Sequence, residues 1–461
     1  MKNYDAIIIG SGQAGTPLSK KLAKEGWKTV LIEKDLIGGT CTNVGCTPTK
    51  TMIASAKRMY DCKKAKELGV HTGEISINID EVLKRKDQIV ESFRNGATKG
   101  LEKAENLEII FGTAVFTGNK TIKVTDKEGT EKEMTADKIF IDVGARPGVP
   151  EIEGLKDVPY LTSTTMMELH EVPEHLLIIG GGYIGLEFGQ MYRRFGSKVT
   201  ILEEGKRFLR KEDEDVAQCL REILEAEEIE IFTDTQLRSV KKENNGIQAV
   251  VKIAEKERTI TCSHILLATG RKPNTDLLKV ELGGININEY GFIEVNDQLE
   301  TSVEGVYALG DVKGGPEFTH IAYNDYLVVY NNLIKGKTEN YHDRLVPYTM
   351  FTDPQLGRVG MTEDEAKKKG LKIRVAIFSM KHVARAIEIG DIRGMMKALV
   401  DAESGAILGV AIVGEQGGEV MTVLQMAMVG GVTWQQIRSL PIAHPLYAES
   451  LNNLFMQFDK K

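Results

Sequence analysis

Cys41 and Cys46 stand five residues apart in the run Gly38-Gly39-Thr40-Cys41-Thr42-Asn43-Val44-Gly45-Cys46-Thr47-Pro48-Thr49-Lys50. Two thiols this close can exchange a disulfide or bind a metal, and without nearby His or Cys partners they make a poor zinc ligand set. A disulfide needs Cα atoms within about 7 Å, whereas residues five apart in a regular α-helix are about 8.6 Å apart, from the rise and turn per residue. A Cys41–Cys46 bridge therefore requires a distorted turn, and Gly45 supplies the freedom. The pattern predicts a helix that begins afresh, with Thr47 as N-cap and Pro48 at the first helical position. Cys46 then sits just before the positive helix end, where a thiolate is stabilised. Lys50, in the first turn, opposes that dipole at a cost of about a few tenths of a kcal/mol. Near the other end of the chain stand His444-Pro445-Leu446-Tyr447-Ala448-Glu449. Thiol–disulfide exchange needs a proton shuttle working near neutral pH, the chemistry of histidine, and Glu449 is spaced to hold the ring by its other nitrogen. Cys62, Cys219 and Cys262 have no partner at comparable spacing and are expected to be buried or inert.

The elements that must position these groups repeat. Residues 4–9 form a short apolar run, Gly10-Ser11-Gly12-Gln13-Ala14-Gly15 follows, then a helical stretch to about 25 and a strand over 29–32 that ends in Glu33. This is a dinucleotide-binding βαβ unit, in which the glycines serve the tight turn, the close approach of pyrophosphate to backbone N–H groups, and the helix–strand contact. The pattern returns at 176–179, Gly180-Gly181-Gly182-Tyr183-Ile184-Gly185 and 199–202, ending in Glu203, and in both copies the first glycine lies 23 residues before the acid. Equal spacing in two copies is strong evidence, because the ribose-binding acid must sit at the tip of the adjacent strand in each. A further strand over 301–311 ends in Gly310-Asp311, an acid placed to accept hydrogen bonds from ligand hydroxyls. The strand ends before Gly144 and Gly270 resemble points where the chain passes between two nucleotide domains.

The composition limits the alternatives. The 461 residues carry 59 Lys+Arg against 66 Asp+Glu, a formal charge of −7, with 42% hydrophobic residues. That length suggests about three domains. Mild acidity spread along the chain offers no basic patch to a nucleic acid, and no apolar run approaches the about 20 residues of a membrane span. The N-terminal apolar run is too short for a cleavable signal. Five cysteines in so long a chain are not a disulfide scaffold, and a close pair in a reducing compartment is expected to be redox-active or metal-binding. The expectation is a soluble cytoplasmic protein.

Taken together, the glycine loop, Gly-Gly-Thr-Cys-x4-Cys-x-Pro-x-Lys, the second glycine loop, Ala-x-Gly-Asp and His-Pro-x-x-x-Glu resemble the pyridine nucleotide-disulfide oxidoreductases over essentially the whole chain. The resemblance implies an α/β fold of two Rossmann-like domains plus an α+β dimerisation domain. The FAD-binding domain would be discontinuous (1–148 and 271–340), the NAD(P)H-binding domain would span 149–270, and the dimerisation domain 345–461. It places FAD on Gly10, Gly12, Gly15, Glu33, Thr40, Gly144 and Asp311, and the nicotinamide nucleotide on Gly180, Gly182, Tyr183, Gly185, Glu203 and Gly270. It makes Cys41 and Cys46 a redox disulfide, pairs Lys50 with Glu187 near the flavin, gives Tyr183 the place of the aromatic that covers the flavin, and brings His444 and Glu449 from the partner subunit of a homodimer. No metal site is expected. Glu203 favours NADH, although Lys206, Arg207 and Arg210 follow closely enough to receive the 2′-phosphate of NADPH. The stretches 311–319 with Asp325-Tyr326, 391–394 and 449–455 are most similar to a mercuric-reductase-related branch that includes reactive-chlorine-resistance flavoproteins. The implied acceptors are a thiol or disulfide, hypothiocyanous acid, or a metal ion such as Hg(II) or Cu(II). Dihydrolipoyl dehydrogenase is the alternative, and a flavin-bound redox sensor without turnover a remote one. Retention of Cys41, Cys46, Lys50, Glu187 and His444 argues against the sensor.

Overall fold

A computed structural model describes residues 2–243 and 246–459. The chain divides into two compact units, one of Met1–Thr51, Glu81–Gly148 and Gly270–Arg344, the other of Met52–Asp80, Val149–Thr269 and Leu345–Lys461.

The first unit is built on a seven-stranded sheet. Its central strand, Lys2–Ile9, runs parallel to Thr29–Glu33 on one side and to Glu131–Ile141 on the other. Ala6 to Ile9 are buried, as expected of a parallel strand covered on both faces. The helix Gly15–Lys24 turns Leu18, Ser19, Leu22 and Ala23 inward. The long strand Glu131–Ile141 pairs at its start with Thr121–Thr125 and at its end with Val306–Ala308, so the Gly310-Asp311 turn emerges beside the first glycine loop. The strand expected over 301–311 is thus shorter, and Gly310–Lys313 forms a 3-10 turn in which Gly310 adopts φ +68°. Ala145–Pro147 and Arg271–Pro273 pair antiparallel.

The second unit contains a five-stranded parallel sheet in the order Ile229–Phe232, Lys198–Leu202, His175–Ile179, His264–Leu267, Tyr160–Thr162. A three-stranded antiparallel sheet and a five-stranded antiparallel sheet complete it, the latter built from Tyr348–Met350, Gln355–Gly360, Ile407–Gly414, Met395–Asp401 and Ile373–Ser379 and packed under the helix Gly417–Val429. Buried ion pairs tie the parallel-sheet part to this last sheet. Lys397, 1% exposed, binds both Asp215 carboxylate oxygens at 2.8 Å, and Arg358 binds Asp213 at 2.9 Å. The helix Gly417–Val429 leaves Val423, Met426 and Val429 exposed.

Residues 52–80 group with the second unit, although the sequence places all of 1–148 in one domain. The cause is electrostatic and aromatic. Lys57 bonds Asp353 at 3.0 Å and Glu415 at 3.1 Å, and Tyr60 lies under the guanidinium groups of Arg194 and Arg393. Among the described residues no helix is long and apolar enough to cross a membrane.

Candidate active site

Cys41 lies in the short helix Gly39–Val44, and Cys46 is the first residue of the helix Cys46–Lys64. The new helix therefore starts earlier than the Thr47 N-cap expected from propensity. Gly45 is the breaking point, with φ −132° and ψ −118°, and a Cβ there would meet the Thr40 carbonyl oxygen at 2.8 Å. The Gly45 carbonyl accepts from the Thr49 N–H at 3.1 Å and the Thr49 hydroxyl at 2.7 Å, so Gly45 occupies the capping place and Thr47 joins the helix. Lys50 consequently falls just past the first turn.

The break brings the two thiols together. Cys41 and Cys46 are hydrogen-bonded, and the Cys46 sulfur lies 3.3 Å from the Thr319 hydroxyl. The hydrogen bond to Cys46, burial and the Cys46 charge all push the Cys41 thiol upward, while Thr319 pulls it back. Cys41 is thus the thiol of the pair held upward, while Cys46 stands at the helix start, a place that favours a thiolate. Thr319 opens the helix Thr319–Lys335 and is 273 residues from Cys46. The other cysteines fit the inert reading: burial raises Cys219 to about 11 and Cys262 to about 12, and Cys62 is half-buried.

The first glycine loop leaves no room for side chains. A Cβ on Gly10 would fall 2.2 Å from the Asp142 carbonyl oxygen, and one on Gly15 would fall 2.1 Å from that of Gly10. Glu33 closes the loop by accepting from the Ser11 N–H at 2.9 Å, the Ser11 hydroxyl at 2.6 Å and the Asp35 N–H at 2.8 Å. Asp311 is paired with Arg271 at 3.4 Å and its carboxyl is pushed up by burial. Thr40 is exposed beside the loop, and Gly144 adopts φ +65°. A backbone cradle, a strand-tip acid and a second acid past a neighbouring strand are the donor set that a dinucleotide with a polyol chain requires, so these residues fit FAD.

In the second unit a Cβ on Gly180 would fall 2.3 Å from the Ala268 carbonyl oxygen and one on Gly185 would fall 2.2 Å from that of Gly180, while Gly182 faces open space. Glu203 accepts from the Gly181 N–H at 2.9 Å and the Gly205 N–H at 2.8 Å. Tyr183 starts the helix Tyr183–Phe195 and is partly exposed, Glu187 on that helix is buried and accepts from the Phe351 N–H at 2.8 Å, and Gly270 adopts φ +104°. Arg207 is engaged by the Glu212 carbonyl at 2.5 Å, whereas Lys206 and Arg210 are exposed.

His444 and Glu449 are joined, Nδ1 lying 2.9 Å from Oε2, and the His444 side chain is 66% exposed, which leaves Nε2 open for proton exchange. One group escaped the sequence reading altogether. Asp353, Asp391 and Glu415 lie close enough to share a metal ion, but Lys57, Arg194 and Arg393 interleave with them. Burial alone would raise Asp353; those three cations hold it down at about 2, so the cluster is an ion-pair network.

The model of the pyridine nucleotide-disulphide oxidoreductases matches residues 4–325, and that of their dimerisation domain matches residues 346–455. The chain is 37% identical over 459 residues to the probable pyridine nucleotide-disulfide oxidoreductase RclA of Escherichia coli, covering 99% of each. It is 32% identical over 458 residues to a mercuric reductase of Lysinibacillus sphaericus, covering 99% of this chain and 83% of that one. The solved Cu(II) complex of the HOCl-induced flavoprotein disulfide reductase RclA from Escherichia coli superposes with a TM-score of 0.91 at 36% identity, over 99% of this chain and 100% of that one. The chain belongs to the pyridine nucleotide-disulphide oxidoreductases, FAD-dependent enzymes that take their electrons from NAD(P)H.

Proposed function

We propose that this chain is a cytoplasmic, homodimeric, NADH-driven reductase of a small electrophilic oxidant, with hypothiocyanous acid as the representative acceptor. The observation that carries the reading is the division of labour in the cysteine pair. Cys46 stands at a helix start, where a thiolate is favoured, and Cys41 is hydrogen-bonded to it with its thiol pushed upward. The first glycine loop, Glu33 and Asp311 would hold FAD, which would supply the relay of an electron pair from NADH to the Cys41–Cys46 disulfide. Cys41 then attacks the acceptor sulfur as its proton leaves, water departs, and a Cys41–S–SCN bond forms. The Cys46 thiolate attacks the Cys41 sulfur, closes the disulfide and releases thiocyanate. His444, oriented by Glu449 and supplied by the partner subunit as the family resemblance implies, takes the Cys41 proton and passes it to the departing hydroxide, which leaves as water. The exposed apolar residues Val423, Met426 and Val429, together with the dimerisation-domain match, support the homodimer. Glu203 supports NADH, since a carboxylate accepts from ribose hydroxyls and repels a 2′-phosphate. The likeness to RclA, a flavoprotein disulfide reductase described as HOCl-induced, supports an oxidant as the acceptor.

Anaerobic reduction with NADH, followed by mixing with hypothiocyanous acid, lipoamide, glutathione disulfide, Hg(II) or Cu(II), tests the reading. The expected result is fastest reoxidation by hypothiocyanous acid. Faster reoxidation by lipoamide would make the chain a dihydrolipoyl dehydrogenase, and flavin reduction with no reoxidation by any acceptor would leave a redox sensor.

A further inference from the structure

Asp142 directly follows the strand Glu131–Ile141, and its backbone N–H donates to the Ile9 carbonyl at 2.8 Å. In the second nucleotide unit the corresponding bond, from the Ala268 N–H to the Ile179 carbonyl at 2.8 Å, belongs to an alanine. The side chain is therefore an addition particular to the first unit. It is 7% exposed and points beneath both turns that the FAD site requires. Oδ2 accepts from the Gly15 N–H at 2.7 Å and lies 2.7 Å from where a Cβ on Gly12 would stand, and Oδ1 lies 3.1 Å from the Cβ position of Gly310. The helix Gly15–Lys24 has no side-chain N-cap of its own; the Gly15 and Ala14 N–H groups are answered by this carboxyl and the Thr16 N–H by the Gly12 carbonyl at 3.1 Å.

We propose that Asp142 couples FAD binding to proton uptake: its carboxyl holds the helix start that the pyrophosphate needs, and the two acidic groups coexist there only when Asp142 carries a proton. Without FAD, the positive helix end favours the ionised carboxyl and burial opposes it, so Asp142 ionises as the pH rises. With FAD, two negative groups would share one helix start in a buried place, and protonation of Asp142 removes the conflict while its hydroxyl becomes a donor.

The groups facing Asp142 reinforce the effect. Asp311 follows the Val306–Ala308 strand and is shared with Arg271, which also faces Glu317 at 3.4 Å. Asp325, on the helix Thr319–Lys335, accepts from the Gly310 N–H at 2.8 Å and is paired with Lys313 at 3.4 Å and Arg344 at 2.7 Å. Glu33, on the far side of the loop, is occupied by Ser11 and Asp35. The cations are thus spent on Asp311 and Asp325, and among the described residues none is bonded to Asp142. Burial first, then the charges of Asp311 and Asp325, push its carboxyl well up against the pull of the Gly15 and Ala14 N–H groups. Bound pyrophosphate would push it further.

Binding that takes up one proton weakens by up to about tenfold per pH unit between the carboxyl's values in the free and bound protein, and is flat on either side of that window. Diluted holoenzyme, equilibrated between about pH 6 and pH 9 and read by the fluorescence of released FAD, should show that rise in dissociation constant. Asp142→Asn, which keeps an acceptor for the Gly15 N–H and cannot ionise, should flatten the profile. Calorimetric titration of FAD into the stripped full-length wild-type chain, in buffers of differing ionisation enthalpy, should report proton uptake, which checks the coupling even if the variant fails to fold. A flat wild-type profile, an equally sloped Asp142→Asn profile, or binding without proton uptake would each overturn the assignment.

Discussion

The chain contains two glycine-loop units whose backbones repeat almost bond for bond and whose side chains diverge. Gly10 and Gly180 take φ +101° and +108°, each pressed against the carbonyl of a neighbouring strand end, and each strand-tip glutamate accepts from the N–H one residue past the first glycine and from the N–H two residues past itself. The departures are local. Glu33 accepts a third bond, from the Ser11 hydroxyl, where Gly181 has none to give. Asp142 stands where the second unit has Ala268. Beyond the acid, the first unit runs into the cysteine pair and the second into Gly205, Lys206 and Arg207. Recognition of a dinucleotide lies in the shared backbone, and the reactivity belongs to what each copy adds.

The most damaging way to separate the copies is to fill a loop. Gly10→Val adds a side chain at positive φ directly against backbone oxygen, a strain of several kcal/mol with no flexible neighbour to yield. It should give colourless protein without FAD. Gly180→Val should give yellow protein that retains FAD and is not reduced by NADH. Absorbance of the purified proteins and stopped-flow reduction decide the matter, and loss of FAD from both would show that the copies do not bind their nucleotides independently.

The cysteine addition gives the next largest effect. Cys46→Ser should abolish the long-wavelength charge-transfer absorbance of the two-electron-reduced enzyme, whereas Cys41→Ser should keep it and stop turnover. The opposite pattern would reverse the roles of the two thiols. His444→Gln should leave reduction by NADH intact and slow reoxidation by about 10² to 10⁴, with a smaller loss for Glu449→Gln, because the ring would remain but be held less firmly. Equal slowing of both half-reactions would point to a damaged dimer instead. Unchanged reoxidation in His444→Gln would show that Cys41 needs no imidazole to lose its proton.

What the sequence showed and what it hid divide along the same line. Gly10, Gly15, Gly180 and Gly185 were readable because backbone contacts exclude every other residue there, and Glu33 and Glu203 because strand length fixes where a tip acid must fall. The start of the cysteine helix was misplaced because the local preference of Thr47 for an N-cap competes with Gly45, whose carbonyl captures both Thr49 donors. Thr319 stands out in the sequence only as the end of the 311–319 stretch; nothing nearby in sequence shows that the Gly310 turn and the following helix carry its hydroxyl to Cys46. Asp142 was visible as a residue but not as a site, since its carboxyl has meaning only beside Gly12, Gly15 and Gly310. The attachment of residues 52–80 to the second unit rests on Lys57 and Tyr60 meeting Asp353, Arg194 and Arg393, partners far away in sequence with no periodic signature.

The smallest expected effect sharpens the comparison most, because it asks whether the two strand-tip acids still do the same work. Glu33 is 7% exposed and carries three hydrogen bonds from its own loop, whereas Glu203 is half-buried and carries two. Glu203 therefore has more acceptor capacity left for ribose hydroxyls. Glu203→Gln removes the charge and puts a donor where one acceptor stood, at a cost of about 1.5 kcal/mol for a charge-assisted hydrogen bond, or roughly tenfold in kcat/KM for NADH. The same change lifts the repulsion toward a 2′-phosphate, so kcat/KM for NADPH should hold or rise. Arg207 donates one N–H to the Glu212 carbonyl, which restrains its guanidinium and limits the gain, while Lys206 and Arg210 are exposed. Glu33→Gln should instead loosen the loop through Ser11, and it should appear as faster FAD release with the NADH to NADPH ratio unchanged. Wild-type preference for NADPH, or equal nucleotide responses to the two substitutions, would mean that the second acid does not select the cofactor and that the cations following it do.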